Sequence, residues 1–188
     1  MSAEGRAYGI ELLVRKTLGR LTGWASYTLS KTERRTVTPF AEDQINQGSY
    51  YPADFDIPHN LTVATNYQIT RRWRASANFV YNTGRPVSFP LTRYRINDVS
   101  VAYFAERNGF RIPDYHRLDL SVTLEGSNKR NKKWQGSWTF SIYNVYGRKN
   151  AYSVFFGTVP IQGFSTLEAF KLTVVGVPFP AITYNFEF

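Results

Sequence analysis

The chain has 188 residues, enough for one ordinary domain, and no cysteine, which excludes disulfides and thiolate metal sites. Its formal charge of +9 fits scattered surface charge or attraction to a polyanion, but no helix-turn-helix, RRM or KH pattern accompanies it. The mean hydropathy is −0.36, and no run approaches the roughly 18 apolar residues of a membrane helix.

The first half of the chain alternates apolar and polar residues with a period of two, which is the pattern of half-buried strands. This alternation predicts four strands, at 8–15, 21–30, 61–69 and 73–82. Short turns at 17–20 and 71–72 join them in pairs, and a long polar connection at about 31–58 separates the pairs.

The second half repeats the arrangement after a long connection at about 84–114. Strands are predicted at 117–125 and 134–143, joined by a basic turn, and a third long connection follows at about 147–165. From Phe170 to Phe188 the even-numbered positions stay largely apolar across an interruption rich in proline. We therefore expect one long, bulged final strand that ends with Ile182, Tyr184, Phe186 and Phe188 on its apolar face.

Short and long connections alternate along all of the predicted strands. This order is typical of an all-β, antiparallel, up-and-down transmembrane β-barrel with short periplasmic turns and long extracellular loops. The aromatic content of 16 % fits the aromatic girdles of such a barrel. Single-chain bacterial barrels have even strand numbers, so about seven strands predict a partial barrel, with residues 1–188 as its C-terminal part. Residues 1–5 also lack the apolar segment of a signal peptide.

Charged residues on the polar faces of the strands are the candidates for the barrel lumen. They are Glu11, Arg15, Arg74, Arg117, Asp119 and Glu187, with Glu125 as a further member. Such charges must sit in water or pair with one another, and the alternatives are that they hold a plug domain or contact substrate.

Aromatic residues on the long connections are the candidates for extracellular ligand contact, the alternative being that the loops pack on themselves. They are Tyr50, Tyr51, Phe55, Tyr94, Tyr103 and Phe104.

We find no catalytic, cofactor-binding or metal-binding constellation in the sequence. His59 and His116 each precede a predicted strand. For a histidine in that position, a role in capping or loop packing is a simpler interpretation than a role as metal ligand or base.

Seven short motifs in a fixed order span nearly the whole chain. They are GRAYGIEL at 5–12, GWASYTLS at 23–30, DIPHNL at 56–61, NTGRP at 82–86, PDYHRLDL at 113–120, SIYNVY at 141–146 and ITYNFEF at 182–188. In this order they resemble the C-terminal barrel region of TonB-dependent outer-membrane receptors.

The resemblance implies active uptake of a siderophore, cofactor, glycan or peptide through a 22-stranded barrel in the bacterial outer membrane. Its implied partners are outer-membrane lipid, the missing N-terminal strands and plug domain, an inner-membrane energy-coupling protein reached by the missing N-terminus, and the barrel-assembly machinery. Tyr184, Phe186 and Phe188 would form the C-terminal assembly signal. Enzymatic activity, a cofactor and nucleic-acid binding are not expected.

Two other interpretations remain open at this point. One is a small, self-contained outer-membrane barrel with a structural or adhesive role. The other is a soluble, basic β-protein that binds a polyanion.

Overall fold

The computed structural model describes residues 2–96, 99–104, 106–126, 135–161 and 164–187. Within these ranges the protein is all-β with antiparallel sheets, as predicted, and has two short 3-10 turns at Ala41–Asp43 and Ile45–Gly48. The strands are β1 (Ser2–Lys16), β2 (Leu21–Val37), β3 (Tyr51–Pro52), β4 (His59–Gln68), β5 (Trp73–Asn82), β6 (Pro86–Val87), β7 (Pro90–Ile96), β8 (Val99–Phe104), β9 (Phe110–Arg111), β10 (Tyr115–Glu125), β11 (Gln135–Tyr143), β12 (Ser153–Ile161), β13 (Phe164–Leu172) and β14 (Phe179–Glu187).

The main sheet is a meander of seven long strands in the order β1-β2-β4-β5-β10-β11-β14, with the short β3 added beside β2. Each long strand pairs antiparallel with the next long strand along the chain. The first six predicted strands are therefore found in this sheet in the predicted order.

One face of this sheet is apolar because the pairing register keeps the apolar positions together. Val14, Ala25, Val63, Phe79 and Leu118 form one row that crosses five strands. Most large apolar side chains of this face are exposed. The buried apolar residues in the described part of the chain are Tyr51, Ala53 and Ala151, none of which belongs to the seven long strands. The apolar face is therefore not covered by a second layer within the described residues.

The opposite face is polar along the same strands. Thr22, Asn66, Ser76, Ser121 and Ser141 form a row across five strands on this side. The two faces therefore differ in chemistry over the width of the sheet, which is the contrast that period-two alternation predicts.

Short and long connections leave from opposite ends of the sheet. The short ones are 17–20, 69–72 and 126–134, the last of which lies mostly outside the described residues. The long ones are 38–58, 83–114 and 144–178. They contain three two-stranded sheets of their own, formed by β6 with β9, β7 with β8, and β12 with β13.

The prediction of one long final strand from Phe170 to Phe188 is wrong. β13 ends at Leu172 and pairs with β12 in a separate hairpin, where the rings of Phe155 and Phe170 stack at 5.4 Å. The final strand, β14, begins at Phe179 and pairs with β11. Phe170 and Leu172 in β13 and Ile182, Tyr184 and Phe186 in β14 are all even-numbered, so the alternation alone does not show that they belong to two separate strands. The sequence had also placed the partner strand β12 in a loop.

The main sheet is open within the described residues. Its outermost strands are β1 and β14, each with one long-strand neighbour, and no closed barrel is formed. Seven successive antiparallel strands make these two edges run in the same direction. No helix in the described ranges is long and apolar enough to span a membrane.

Candidate functional site

The predicted lumen-facing charges occupy the polar face of the main sheet. Four of their register partners on the neighbouring strands are polar: Thr28 for Glu11, Thr123 for Arg74, Asn78 for Asp119 and Gln135 for Glu187. The other two are apolar: Trp24 for Arg15 and Val80 for Arg117. Glu11 and Arg15 are exposed on β1.

Four of these charged groups form two ion pairs on the polar face of the sheet. The Arg117 guanidinium lies 2.9 Å from an Asp119 carboxylate oxygen, and that of Arg74 lies 2.6 Å from Glu125. Arg117 also donates to the hydroxyls of Tyr115 and Tyr143 and stacks over the Tyr143 ring at 4.0 Å. Pairing of charges on the polar face is therefore observed for these four residues.

Asn144, directly after β11, connects the polar face to the third long connection. It is fully buried, and its φ of 54° lies in the left-handed region, which asparagine tolerates better than most residues. Its backbone N–H donates to Asp119 Oδ1 at 2.9 Å. Its side-chain amide donates to the carbonyls of Arg148 and Val175 and accepts the Arg148 N–H at 3.1 Å. The sequence offered one hint, a polar residue followed three positions later by glycine.

We expect Asn144→Ala to lower the free energy of unfolding by about 2 kcal/mol, because it leaves three part-buried backbone groups of Arg148 and Val175 without this partner and strains the left-handed backbone. Asn144→Gly is the matched control, since glycine loses the same hydrogen bonds without the strain, and it should cost about 1 kcal/mol less. Urea unfolding of the refolded chain in detergent measures both. Equal stability of Asn144→Ala and the parent would contradict this role.

A cavity of about 420 Å³ opens on the polar side at the end where the long connections leave. Its lining includes Asn82, Arg85, Tyr115, Arg117, Tyr143 and Tyr152. The Asn82 side-chain oxygen is buried and has no hydrogen-bond partner in the described residues. The volume and the aromatic side chains of the lining fall within the range of small-molecule sites. Sequence analysis missed most of this site, because only pairing places Asn82 opposite Tyr115.

Two carboxylates hold the long connections against the sheet. Asp114 accepts the Tyr81 hydroxyl at 2.7 Å and the Gly84 N–H at 2.9 Å, and these bonds hold the pKa of Asp114 below its usual value. Asp54 accepts the Asn108 side-chain amide at 2.7 Å, which, with nearby Arg34, likewise lowers the pKa of Asp54. Both groups are therefore charged at neutral pH.

The long connections also contact one another directly. Asn46 bonds the backbone of Arg107 through both ends of its side-chain amide. Arg111 pairs with Asp56, which is buried, and Arg85 donates to the Tyr152 carbonyl at 3.2 Å. These contacts make one connected structure of the three segments.

The six predicted ligand-contact aromatics do not meet at one place. Tyr51 is buried, so its ring offers no exposed contact. Tyr50 lies against the guanidinium groups of Arg6 and Arg35. The others are exposed: Tyr94 packs on Tyr103 at 5.5 Å, Phe55 lies near Arg34, and Phe104 ends β8.

The two histidines contact tyrosines at the start of their strands. Each ring nitrogen Nδ1 lies 2.8 Å from a tyrosine hydroxyl, Tyr27 for His59 and Tyr146 for His116. No group of histidine and carboxylate side chains that could hold a metal occurs in the described part of the chain.

Tyr184 and Phe186, two residues of the predicted C-terminal assembly signal, lie on the apolar face of β14. The Tyr184 ring packs on Trp138 at 4.6 Å and on Phe186 at 6.2 Å. Phe188 lies outside the described residues.

Comparison of the chain with protein-family models, with curated proteins and with solved structures finds no match.

Proposed function

We propose that this chain forms part of the wall of a bacterial outer-membrane β-barrel transporter, of the TonB-dependent class that its motifs resemble. In this proposal the barrel takes up a scarce nutrient through its lumen. The single observation that most supports it is the in-register apolar face, which crosses all seven long strands and is exposed. Lipid is the medium that can cover such a face without a second protein layer.

The polarity of the other face supports the same proposal. Charges and hydroxyl groups there would face a water-filled or plug-filled lumen, where pairs such as Arg117 with Asp119 remain solvated. The cavity beside Asn82 opens on this face at the end with the long connections, where an entering nutrient would first meet the wall.

The direction of the edge strands supports a partial barrel. Closing the sheet on itself would require a parallel seam between β1 and β14, whereas transmembrane barrels of this kind are built from antiparallel pairs. An odd number of additional strands restores antiparallel pairing at both edges. Strands on the N-terminal side of a longer protein would meet this requirement.

Trypsin added to intact cells that display the complete receptor should cut at exposed residues of the long connections, such as Arg107 and Lys149. It should spare Arg20, Arg71 and Arg72, which are equally exposed but lie at the short turns, until the outer membrane is permeabilised. The reason is that the two sets of connections leave from opposite ends of the sheet. Cutting at the short turns of intact cells would reverse the proposed orientation. A chain that stays soluble and monomeric without detergent would overturn the membrane proposal.

A further inference from the structure

The positive charge of the first two hairpins of the main sheet is concentrated at one end. These hairpins are β1 with β2 and β4 with β5. Within them, residues 12–30 and 60–82 contain no Asp or Glu. All the cations of these two ranges lie in or next to the short turns; they are Arg15, Lys16, Arg20, Arg71, Arg72 and Arg74. The short-turn end of the two hairpins is therefore strongly basic.

Most of these cations have no carboxylate as a partner. Arg74 pairs with Glu125 at 2.6 Å, and the Arg72 Nε donates to the Glu125 carbonyl oxygen at 3.0 Å. The others are exposed and form no ion pair with the described part of the chain; they are Arg15, Lys16, Arg20 and Arg71. We call these four residues and Arg72 the basic turn surface. Its charge is available to an anion from outside the chain.

The two turns of the basic turn surface lie side by side. Leu21 pairs with Tyr67 between β2 and β4, and the Gln68 N–H donates to the Arg20 carbonyl oxygen at 2.8 Å. Successive hairpins of a sheet are two strand spacings apart, which is about 10 Å. Cations of both turns can therefore contact one elongated anionic ligand at the same time.

The basic turn surface also extends onto the polar face. Arg15 is the register partner of Trp24 on that face, whereas Lys16, the next residue of β1, points to the opposite side. Lipid headgroups along the apolar face could approach Lys16, but the sheet itself separates them from Arg15. A partner that contacts the whole surface must approach from beyond the turns, which favours a protein segment over a bilayer.

We propose that the basic turn surface binds an acidic, extended segment of a periplasmic protein. The location of this partner rests on the proposed function, which places the short turns in the periplasm. Four of the five cations are arginines, whose planar guanidinium groups form paired hydrogen bonds with carboxylates. Alternate side chains of an extended segment point the same way about 7 Å apart, so its carboxylates can reach both turns.

The test uses the full chain refolded in non-ionic detergent and two fluorescein-labelled probe peptides, one of eight glutamates and one of eight glutamines. Fluorescence anisotropy should show binding of the glutamate peptide and none of the glutamine peptide at the same concentration. Binding should weaken about tenfold when sodium chloride is raised from about 0.05 M to about 0.5 M, because salt screens exposed ion pairs.

A matched pair of double variants locates the binding. Arg20→Gln with Arg71→Gln should weaken binding of the glutamate peptide about tenfold, which is the loss expected for two exposed ion pairs. Arg107→Gln with Lys149→Gln removes the same charge from exposed residues of the long connections and should leave binding unchanged. Both double variants should keep the β-sheet spectrum of the parent.

Three outcomes would overturn the inference and leave the proposed transporter wall intact. Equal binding of the two peptides would show that charge is not recognised. An equal loss in the two double variants would show that net charge alone attracts the peptide. Displacement of the glutamate peptide by phosphatidylglycerol, added to the micelles at equal concentration, would make the surface a headgroup site. Failure of the chain to insert into detergent or lipid would instead overturn the proposed function.

Discussion

Leu120→Arg should destabilise the bilayer-inserted protein by about 2–4 kcal/mol, whereas Ser121→Arg, one residue further along β10, should have little effect. The difference follows from the two faces of one strand. Leu120 lies in the apolar face between Ala77 and Ile142, near the middle of its apolar band, and it is 41 % exposed. A lipid-facing guanidinium at that depth must leave water without a partner.

Ser121 lies on the polar face between Ser76 and Ser141. It lines a second cavity that also includes Asp119, so an arginine there has water and a carboxylate within reach. The neighbouring position is therefore a control with the same strand, the same substitution and nearly the same depth.

The measurement is the free energy of unfolding in lipid vesicles, obtained from urea titrations of the two variants and the parent in one lipid composition. A tolerated Leu120→Arg together with a disruptive Ser121→Arg would show that the polar face meets lipid. Equal, small effects of both would place the sheet in water and favour the soluble β-protein.

The strands of the main sheet were predictable because their side chains repeat with the period of the backbone. Leu118, Leu120, Val122 and Leu124 alternate strictly with polar residues, and the structure places all four in β10. The strand ends were less predictable: β2 continues to Val37 because charged residues such as Arg34 and Arg35 are compatible with a strand that extends beyond the apolar band. No residue in this segment indicates from the sequence that β2 ends at Val37.

The prediction from alternation was wrong where two separate strands have their large apolar residues at even-numbered positions. Phe170 and Ile182 are both even-numbered and apolar, yet Phe170 pairs with Phe155 and Ile182 pairs with Phe140. Pro180 was interpreted as a bulge within one long strand, but it lies near the start of β14, the outermost strand, where a missing backbone N–H is tolerated. The sequence of neither segment, taken alone, indicated that β12 and β13 pair as a hairpin.

The site was predictable only at the level of which face a residue occupies. Alternation placed Arg117 and Asp119 on the polar side, and both lie there. It could not show that Asp119 also accepts the Asn144 N–H, or that Asn82, Arg85 and Tyr152 share one cavity. Those contacts join segments far apart in the chain, so they depend on register and on how the long connections fold back.

A cysteine pair at Ile10 and Tyr184 should fail to cross-link within one chain, whereas a pair at Phe140 and Ile182 should cross-link readily. The chain has no cysteine of its own, so each double variant contains only the introduced thiols. Phe140 and Ile182 are register partners on β11 and β14, where side chains lie about 4.5–5.5 Å apart. Ile10 and Tyr184 lie on the two outermost strands of the open sheet.

The physical reason is the direction of the edges. β1 and β14 run the same way, so joining them would require a parallel seam, and leaving them unpaired in a bilayer costs several kcal/mol for each exposed backbone group. β1 is fifteen residues long, and along one of its two edges no strand of the described residues accepts or donates backbone hydrogen bonds. An odd number of further antiparallel strands removes both problems, so the two thiols should also stay apart in the longer protein.

Non-reducing electrophoresis after treatment with a short bismaleimide separates the outcomes. Cross-linked monomer for the Phe140 and Ile182 pair alone supports an open sheet that other strands complete. Efficient cross-linking of Ile10 to Tyr184 in the monomer would show that the seven strands close on themselves, and would replace the transporter wall with a small self-contained barrel. Cross-linked dimers of the Ile10 and Tyr184 pair would show that the sheets of two copies of this chain join edge to edge. The proposal that an odd number of further strands completes the barrel would then be wrong, because β1 of one copy would pair with β14 of the next in a parallel seam.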